Sequence, residues 1–386
     1  LERHFTLDRN MEGPDHAASL EFNQFKNLVK GCREIEQALG DGKIKKVSQG
    51  EMINRENLSK SLVASRVLKK DHILKKEDVK ILSPGQGLSP QMLDQLIGKK
   101  LNRNMQFEDY FFKSDIDNLV HKSKNYDFTL KWGIPVRYHD FLKFYNLTNP
   151  DLFEFHLSYS DMDLKISDFL KNKYQCGFVV HAPELFKGSH LMDLTSADED
   201  YLNFSLSETQ RVIEITKELN DFFPNQKNPK IVANIGGFSM DQPFNEKQKE
   251  EHYNRFIENL SKLNLNGVEI IPQTMAPFPW HFGGQRFQNL FVHVDEIVKY
   301  CKEYNLKMCF DVSHSMLTSN HYGYDFYEFA EKIAPFSSHI HMGDASGVNG
   351  EGLQIGEGEI DFNRLCKILK DKSTNSTFIT EIWQGH

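Results

Sequence analysis

Across residues 126–386, short apolar runs alternate with amphipathic helical stretches, and this rhythm leaves few folds open. The apolar runs are Phe128–Val136, Leu152–Leu157, Gly177–His181, Lys230–Ile235, Gly267–Ile271, Lys307–Val312, Ser337–Met342 and Thr377–Ile382. Between them lie stretches such as Ser207–Phe222, Lys247–Leu263 and Val292–Tyr304. Strand alternating with helix eight times predicts a closed parallel barrel, a (β/α)8 fold of the α/β class, rather than an open sheet. The last run ends four residues before the C-terminus, so the expected barrel lacks its final covering helix. The chain opens on Leu1 rather than Met, and a piece of a longer protein is expected.

Two shorter segments precede the barrel. Residues 1–57 read as a short strand (Arg3–Leu7), a Gly-Pro loop and a helix over Glu21–Leu39, stopped by Asp41-Gly42. Phe22, Phe25, Leu28, Val29, Cys32, Ile35 and Leu39 fall at helical spacing there. Residues 58–113 hold alternating runs, Ser61–Ala64 and Val79–Leu82, a Lys69-Lys70-Asp71 turn and a Pro84–Gly87 loop. Such a segment predicts a compact β-clip with too small a core to be an enzyme alone.

Composition narrows the function classes. Hydrophobic residues make up 39% and charged residues 26%, the profile of a soluble globular protein, and no run of 18 apolar residues exists to span a bilayer. The five cysteines are scattered without CxxC spacing, which predicts reduced thiols and a cytoplasmic protein. Residues 126–386 hold 24 Lys/Arg against 36 Asp/Glu, a net of −12, which argues against a nucleic-acid partner. The β-clip carries 11 against 6, a net of +5, and this is read as a solvated basic face or a patch for an anionic substrate.

A (β/α)8 barrel works at the C-terminal ends of its strands, and polar residues here recur at that place. Strand three ends in His181-Ala-Pro-Glu184, strand five carries Glu269, and strand six ends Asp311-Val-Ser-His314. Strand seven reads His339-Ile-His341-Met-Gly-Asp344, and strand eight ends at Glu381. Gathering that many ionisable groups on one rim is costly without a cation, so a divalent metal is expected. Mixed imidazole and carboxylate donors suit Mn, Zn, Co or Mg without choosing among them.

The pattern Glu269 … Asp311-Val-Ser-His314 … His341-x-x-Asp344 … Gly356-Glu-Gly-Glu-Ile-Asp361 … Glu381 resembles the xylose-isomerase-like superfamily of sugar-phosphate isomerases, ketose epimerases and endonuclease IV. That resemblance implies metal ligands Glu269, Asp311, His341 and Glu381, with Glu269 and Glu381 as the acid/base pair. His181 and His314 are then expected to bind substrate or support the ligands; Arg286, in the loop after strand five, reads either as a partner for a phosphate or carboxylate or as an ordinary surface Arg. Chemistry agrees, because a C–H beside a sugar carbonyl is too weakly acidic for a carboxylate unless a cation holds the developing oxyanion. The nuclease members need a strand-four His and an Asp-x-His after strand seven, whereas this chain has Asn234 and no such motif. A non-catalytic sugar-binding or assembly module is the other reading of the barrel.

The opening Glu2–Asp8, followed by Met11-Glu-Gly-Pro-Asp15-His16-Ala-Ala-Ser-Leu20, resembles the last strand and loop of sialic acid synthases, which condense phosphoenolpyruvate with an N-acetylated amino sugar. In that family the residue matching His4 binds Mn and the one matching Asp15 reaches the sugar. Ser61–Ala64, the Lys-Lys-Asp turn, Pro84–Pro90 and Ile97–Lys99 resemble the antifreeze-like (SAF) domain that follows, a module that swaps between subunits. A homodimer is thereby implied. Where the family places an Arg toward the neighbour's sugar, this chain has Lys60, which keeps charge but loses the planar fork. The expectation is therefore the end of a synthase barrel, an SAF domain and an isomerase-like barrel: one bifunctional enzyme of nonulosonic acid synthesis. Phosphoenolpyruvate chemistry would need synthase residues that this chain does not carry.

Overall fold

A computed structural model of the protein describes residues 1–40, 42, 58–85, 87–117, 125–279 and 286–382. The chain divides into two compact units, Leu1–Val47 and Ser48–His386. In the first, the expected helix forms over Phe22–Leu39. Glu21 and Gln24 close a reciprocal capping box at its start, and Gly40, at φ 58°, ends it. The expected strand at Arg3–Leu7 is reduced to one bridge, Phe5 to Leu20, framed by Thr6 N–H donating to Leu20 O and Leu20 N–H to His4 O. Phe22, Ile35 and Leu39 are 69%, 61% and 76% exposed, so this unit does not bury the apolar side of its own helix.

In the small β module, Ser61–Ala64 pairs antiparallel with Val79–Leu82 around Leu62, Leu68, Leu74, Leu96, Leu101, Met105 and Phe111. Two buried carboxylates pin its loops. Asp78 accepts from Arg66 Nε and Nη2 at 3.0 and 2.7 Å, from the Lys75 amide at 2.9 Å and lies 2.7 Å from His72 Nε2. Asp115 accepts both arms of Arg103 at 3.0 Å.

The larger fold is the barrel. Eight parallel strands run Lys131–Val136, Leu152–His156, Gly177–His181, Lys230–Ala233, Glu269–Pro272, Met308–Asp311, Ser337–Met342 and Thr377–Thr380. They pair in the order five-four-three-two-one-eight-seven-six. A parallel bridge from Gln273 to Cys309, with Thr274 N–H donating to Cys309 O at 3.0 Å, joins strand five to strand six. Alternation along the strands sends Leu152, Val179, Val232, Ile271 and Cys309 into one buried cluster inside the barrel. Outside it, helices such as Glu199–Asn220, Glu246–Leu260 and Val294–Glu303 cover the strands. Phe141, Phe153, Phe155, Phe178 and Phe223 are all fully buried on one half, each contributing about 2–3 kcal/mol of burial. No helix among the described residues is long and apolar enough to cross a membrane.

Candidate active site

The alternation that packs the barrel interior also selects which polar side chains reach its mouth. On strand two, Leu152, Glu154 and His156 face inward; on strand three, Val179 and His181; on strand seven, His339 and His341. The mouth opens into a cavity of about 490 Å³ lined by His156, His181, Glu184, Gln273, Asp311, His314, His341, Glu351 and Glu381, among others.

Asp311 ends strand six and caps the next helix, Val312–Tyr322, where one carboxylate oxygen accepts the His314 amide at 2.8 Å. Its other oxygen stays in the pocket, 3.3 Å from His314 Nδ1 and 3.6 Å from His341 Nδ1. Glu381 follows strand eight, and its amide donates to Met342 O at 3.0 Å. Its carboxylate lies 2.6 Å from His341 Nδ1. The ends of strands seven and eight come this close because the position just after strand seven is Gly343, where a Cβ would stand 2.5 Å from Glu381 O.

Asp311, His341 and Glu381 thus offer three ligand atoms within 4.8 Å of one another, and Glu154, His181 and His341 form a second such group. Two of the shortest contacts are not hydrogen bonds in shape. His341 Nδ1, His156 Nε2 and Glu154 Oε1 are buried and find no partner with hydrogen-bond geometry, although His341 sits 2.6 Å from Glu381 and His156 2.8 Å from Glu154. Donors that crowd together while pointing past each other fit a divalent cation between them. The residues present fit a metal held by Asp311, His341 and Glu381.

Electrostatics reinforce that picture. Burial alone would raise the Glu381 carboxyl and lower the His341 imidazole. Instead Glu381 is held well below the carboxylate range by His341, with His156 and His181 behind it. His341 is driven well above its ordinary value by Cys309, Glu154 and Glu381. His181 differs. Its Nδ1 lies 2.9 Å from Ala182 O, which can only accept, so Nδ1 carries the proton. Burial and the neighbouring His156 lower its pKa, leaving a neutral ring with an Nε2 lone pair. His314 is doubly engaged, Nδ1 against Thr274 O at 2.9 Å and Nε2 against Glu351 Oε1 at 3.1 Å. Burial would lower its pKa, but Asp311 and Glu351 hold it well above the ordinary value.

The structure corrects the expected ligand set at one position. Glu269 is the first residue of strand five and pairs with Lys230, the first residue of strand four, at the opposite end of the barrel from the cavity. At 3.3 Å of rise per residue, it lies roughly 13 Å along the strand from Gln273. Gln273 is the residue of strand five that lines the cavity, its Nε2 3.5 Å from Glu184 Oε1. The difference is one of strand limits: the run Gly267–Ile271 carries Glu269, but the pairing starts at Glu269 and runs on to Gln273. The metal set and the acid/base pair that included Glu269 are therefore revised.

The other expected residues divide similarly. His181 and His314 line the cavity. Arg286 is not among its described lining residues and stacks over Phe238 at 4.9 Å. His4 and Asp15 approach to 3.8 Å in their own unit, both exposed. Lys60 is exposed at the start of the β module, and Arg66 is engaged by Asp78.

Sequence reading missed Glu154 and His156, which stand within the apolar run of strand two. Glu154 is fully buried, with His339 Nε2 at 2.6 Å and His341 Nε2 at 3.1 Å. A charged residue flanked by phenylalanines in a core strand was the available signal. Glu351 was missed too, since it lies on the hairpin Asp344–Ser346/Gly350–Leu353 beyond strand seven.

Imidazoles and carboxylates converging at the C-terminal mouth define a (β/α)8 barrel with a candidate metal centre as a class. Comparison agrees: the family described as xylose isomerase-like TIM barrel matches residues 143–386, and the chain belongs to it. The NeuB family matches residues 1–44 and the SAF domain residues 59–116. Pseudaminic acid synthase of Campylobacter jejuni (strain 81-176) is 39% identical over 115 residues, covering 30% of this chain and 33% of that protein. Human N-acetylneuraminate-9-phosphate synthase is 36% identical over 127 residues, covering 32% and 35%. The chain spans about a third of the length of these curated relatives. Among solved structures, a D-tagatose 3-epimerase-like protein aligns at TM-score 0.50 and 20% identity, covering 66% of this chain and 92% of that one, which shows the fold.

Proposed function

We propose that residues 126–386 form a divalent-metal-dependent sugar isomerase or epimerase, joined to the end of a nonulosonic acid synthase and its SAF domain in one cytoplasmic, bifunctional enzyme. The observation carrying this reading is the convergence of Asp311, His341 and Glu381 within 4.8 Å at the barrel mouth. A divalent ion held there would polarise a sugar carbonyl and acidify the C–H beside it. The chain's own residues do the rest. His181, neutral with its Nε2 lone pair directed away from the backbone, accepts from a sugar hydroxyl. Gln273 and Glu184 orient the polyol at the opposite wall, and Glu381 moves a proton at the reacting carbon. His4 and Asp15 keep the roles implied by the synthase resemblance, metal and amino-sugar binding. Lys60 would face a second copy in a swapped dimer, with its charge but without the planar fork of an Arg.

The resemblance to xylose-isomerase-like enzymes gives the substrate class, a sugar or sugar phosphate; the pseudaminic and N-acetylneuraminic acid synthases that the first third resembles point to nonulosonic acid precursors. Gln273 in place of a carboxylate favours a second reading, a barrel that binds sugar without turning it over. Metal analysis and solvent exchange separate the two. The full chain should carry a stoichiometric divalent ion and, in D2O, incorporate deuterium beside the carbonyl of a bound sugar. Stoichiometric metal without exchange would favour the binding module, and a chain indifferent to chelator with no metal would remove both the ion and the isomerase.

A further inference from the structure

Strand five brings an amide rather than a carboxylate to the cavity, so a two-carboxylate proton transfer needs its second member from another element. Glu351 is so placed. It lines the cavity with Glu381, its side chain 13% exposed, and Oε1 lies 3.1 Å from His314 Nε2. His314 is fixed from its other side by Thr274 O at 2.9 Å and by Asp311 at 3.3 Å.

The hairpin that carries Glu351 is firmly tied. Buried Asp344 accepts from the amides of Gly356, Gly358 and Ile360 at 2.9, 3.0 and 3.2 Å. Gly352, next to Glu351, donates to Ser313 Oγ at 2.7 Å, and that hydroxyl donates on to Asp344 O at 3.3 Å. Glu359 accepts from Ser346 Oγ at 3.1 Å and the Gly347 amide at 3.3 Å. A loop anchored by this many bonds holds its carboxylate in a set position, as acid/base work requires.

We propose that Glu351 is the second proton-carrying carboxylate of the barrel, with His314 as its positioning residue; this rests on the isomerase reading above. In an epimerisation, the Glu351 carboxylate takes the proton from the carbon beside the carbonyl. The C–H pair becomes the C=C of an enediolate, and the carbonyl π pair moves onto oxygen. A solvent proton relayed through the Glu381 carboxylate reaches the same carbon from the other face; the C=C pair forms the new C–H bond and the oxygen pair re-forms C=O. The sugar is inverted but neither oxidised nor reduced, and the two carboxyls reset through solvent.

The test uses the full chain with Mn²⁺ in D2O, with D-fructose, D-fructose 6-phosphate and N-acetylmannosamine as probes and deuterium at the carbon beside the carbonyl as readout. Glu351→Gln should lower exchange by about 100-fold or more while leaving Mn²⁺ affinity and the melting temperature unchanged. His314→Gln should shift the pH profile of exchange, and Glu269→Gln, at the far end of the barrel, should exchange like the wild type. Exchange by Glu351→Gln at the wild-type rate would overturn the assignment and leave the isomerase reading standing. Lost exchange with equal loss of Mn²⁺ affinity or fold would also overturn it, because Glu351 would then be structural. No exchange by the wild-type chain on any probe would overturn both.

Discussion

Glu154 offers the sharpest test of how this barrel tolerates its polar interior. The side chain is fully buried and surrounded by His339 at 2.6 Å, His156 at 2.8 Å and His341 at 3.1 Å. Burial would raise its pKa, yet His341, His339 and His156 hold it well below the carboxylate range, so it is ionised. One imidazolium at 3 Å is worth roughly 5 kcal/mol at an effective dielectric of about 20, set against several kcal/mol for removing a carboxylate from water. Glu154→Gln keeps the shape but removes the charge and replaces one acceptor oxygen with an NH2 donor, facing imidazoles that need an acceptor. The expected loss is about 3–5 kcal/mol, the cost of breaking a buried pair from one side. At roughly 2–4 °C per kcal/mol for a domain of this size, the barrel melt should fall by about 6–20 °C. Thermal unfolding followed by circular dichroism, in chelator so that no ion binding contributes, measures it. A double-mutant cycle with His339→Gln should give a coupling above about 1 kcal/mol. A melt lowered by less than about 2 °C, or additive single variants, would refute the view that Glu154 anchors the imidazole stack.

Two further outcomes follow from other parts of the chain. Burial would raise the pKa of Asp78, but His72, the Lys75 amide and Arg66 lower it below its ordinary value. Its stabilisation is therefore complete above the unfolded pKa of about 3.9 and is lost as pH falls through the lower folded value. Urea unfolding of the β module should weaken from pH 5 toward pH 2.5, and Asp78→Asn should abolish most of that slope; an unchanged slope would free Asp78 of the role. Gly358→Ala would put a Cβ 2.3 Å from Asp344 Oδ1 and 2.4 Å from Ala345 O. The strain should cost about 1–3 kcal/mol and speed amide exchange over the hairpin after strand seven, and wild-type exchange there would count against the hairpin's tethering role.

What could be read in advance depended on how local the signal was. Strand and helix periodicity is a property of neighbouring residues, so all eight barrel strands and the Phe22–Leu39 helix were legible within a few positions. The Asp311-x-x-His314 spacing marks a strand end running into a capped helix, and that also needs no distant partner. Which residue of a strand reaches the mouth is different, because it depends on pairing register against neighbours far along the chain. Two strand pairings, Glu269 with Lys230 and Gln273 with Cys309, sent the strand-five glutamate to the far end and brought an amide to the site. Glu154 and Glu351 entered the site for the same reason, one from an apolar strand and one from a hairpin folded back over the mouth. By itself, the sequence determined the elements, their order and the family resemblances of each segment. Only closure of the barrel decided which carboxylates and imidazoles meet, since side chains 187 positions apart, such as Glu154 and His341, become neighbours through tertiary packing alone.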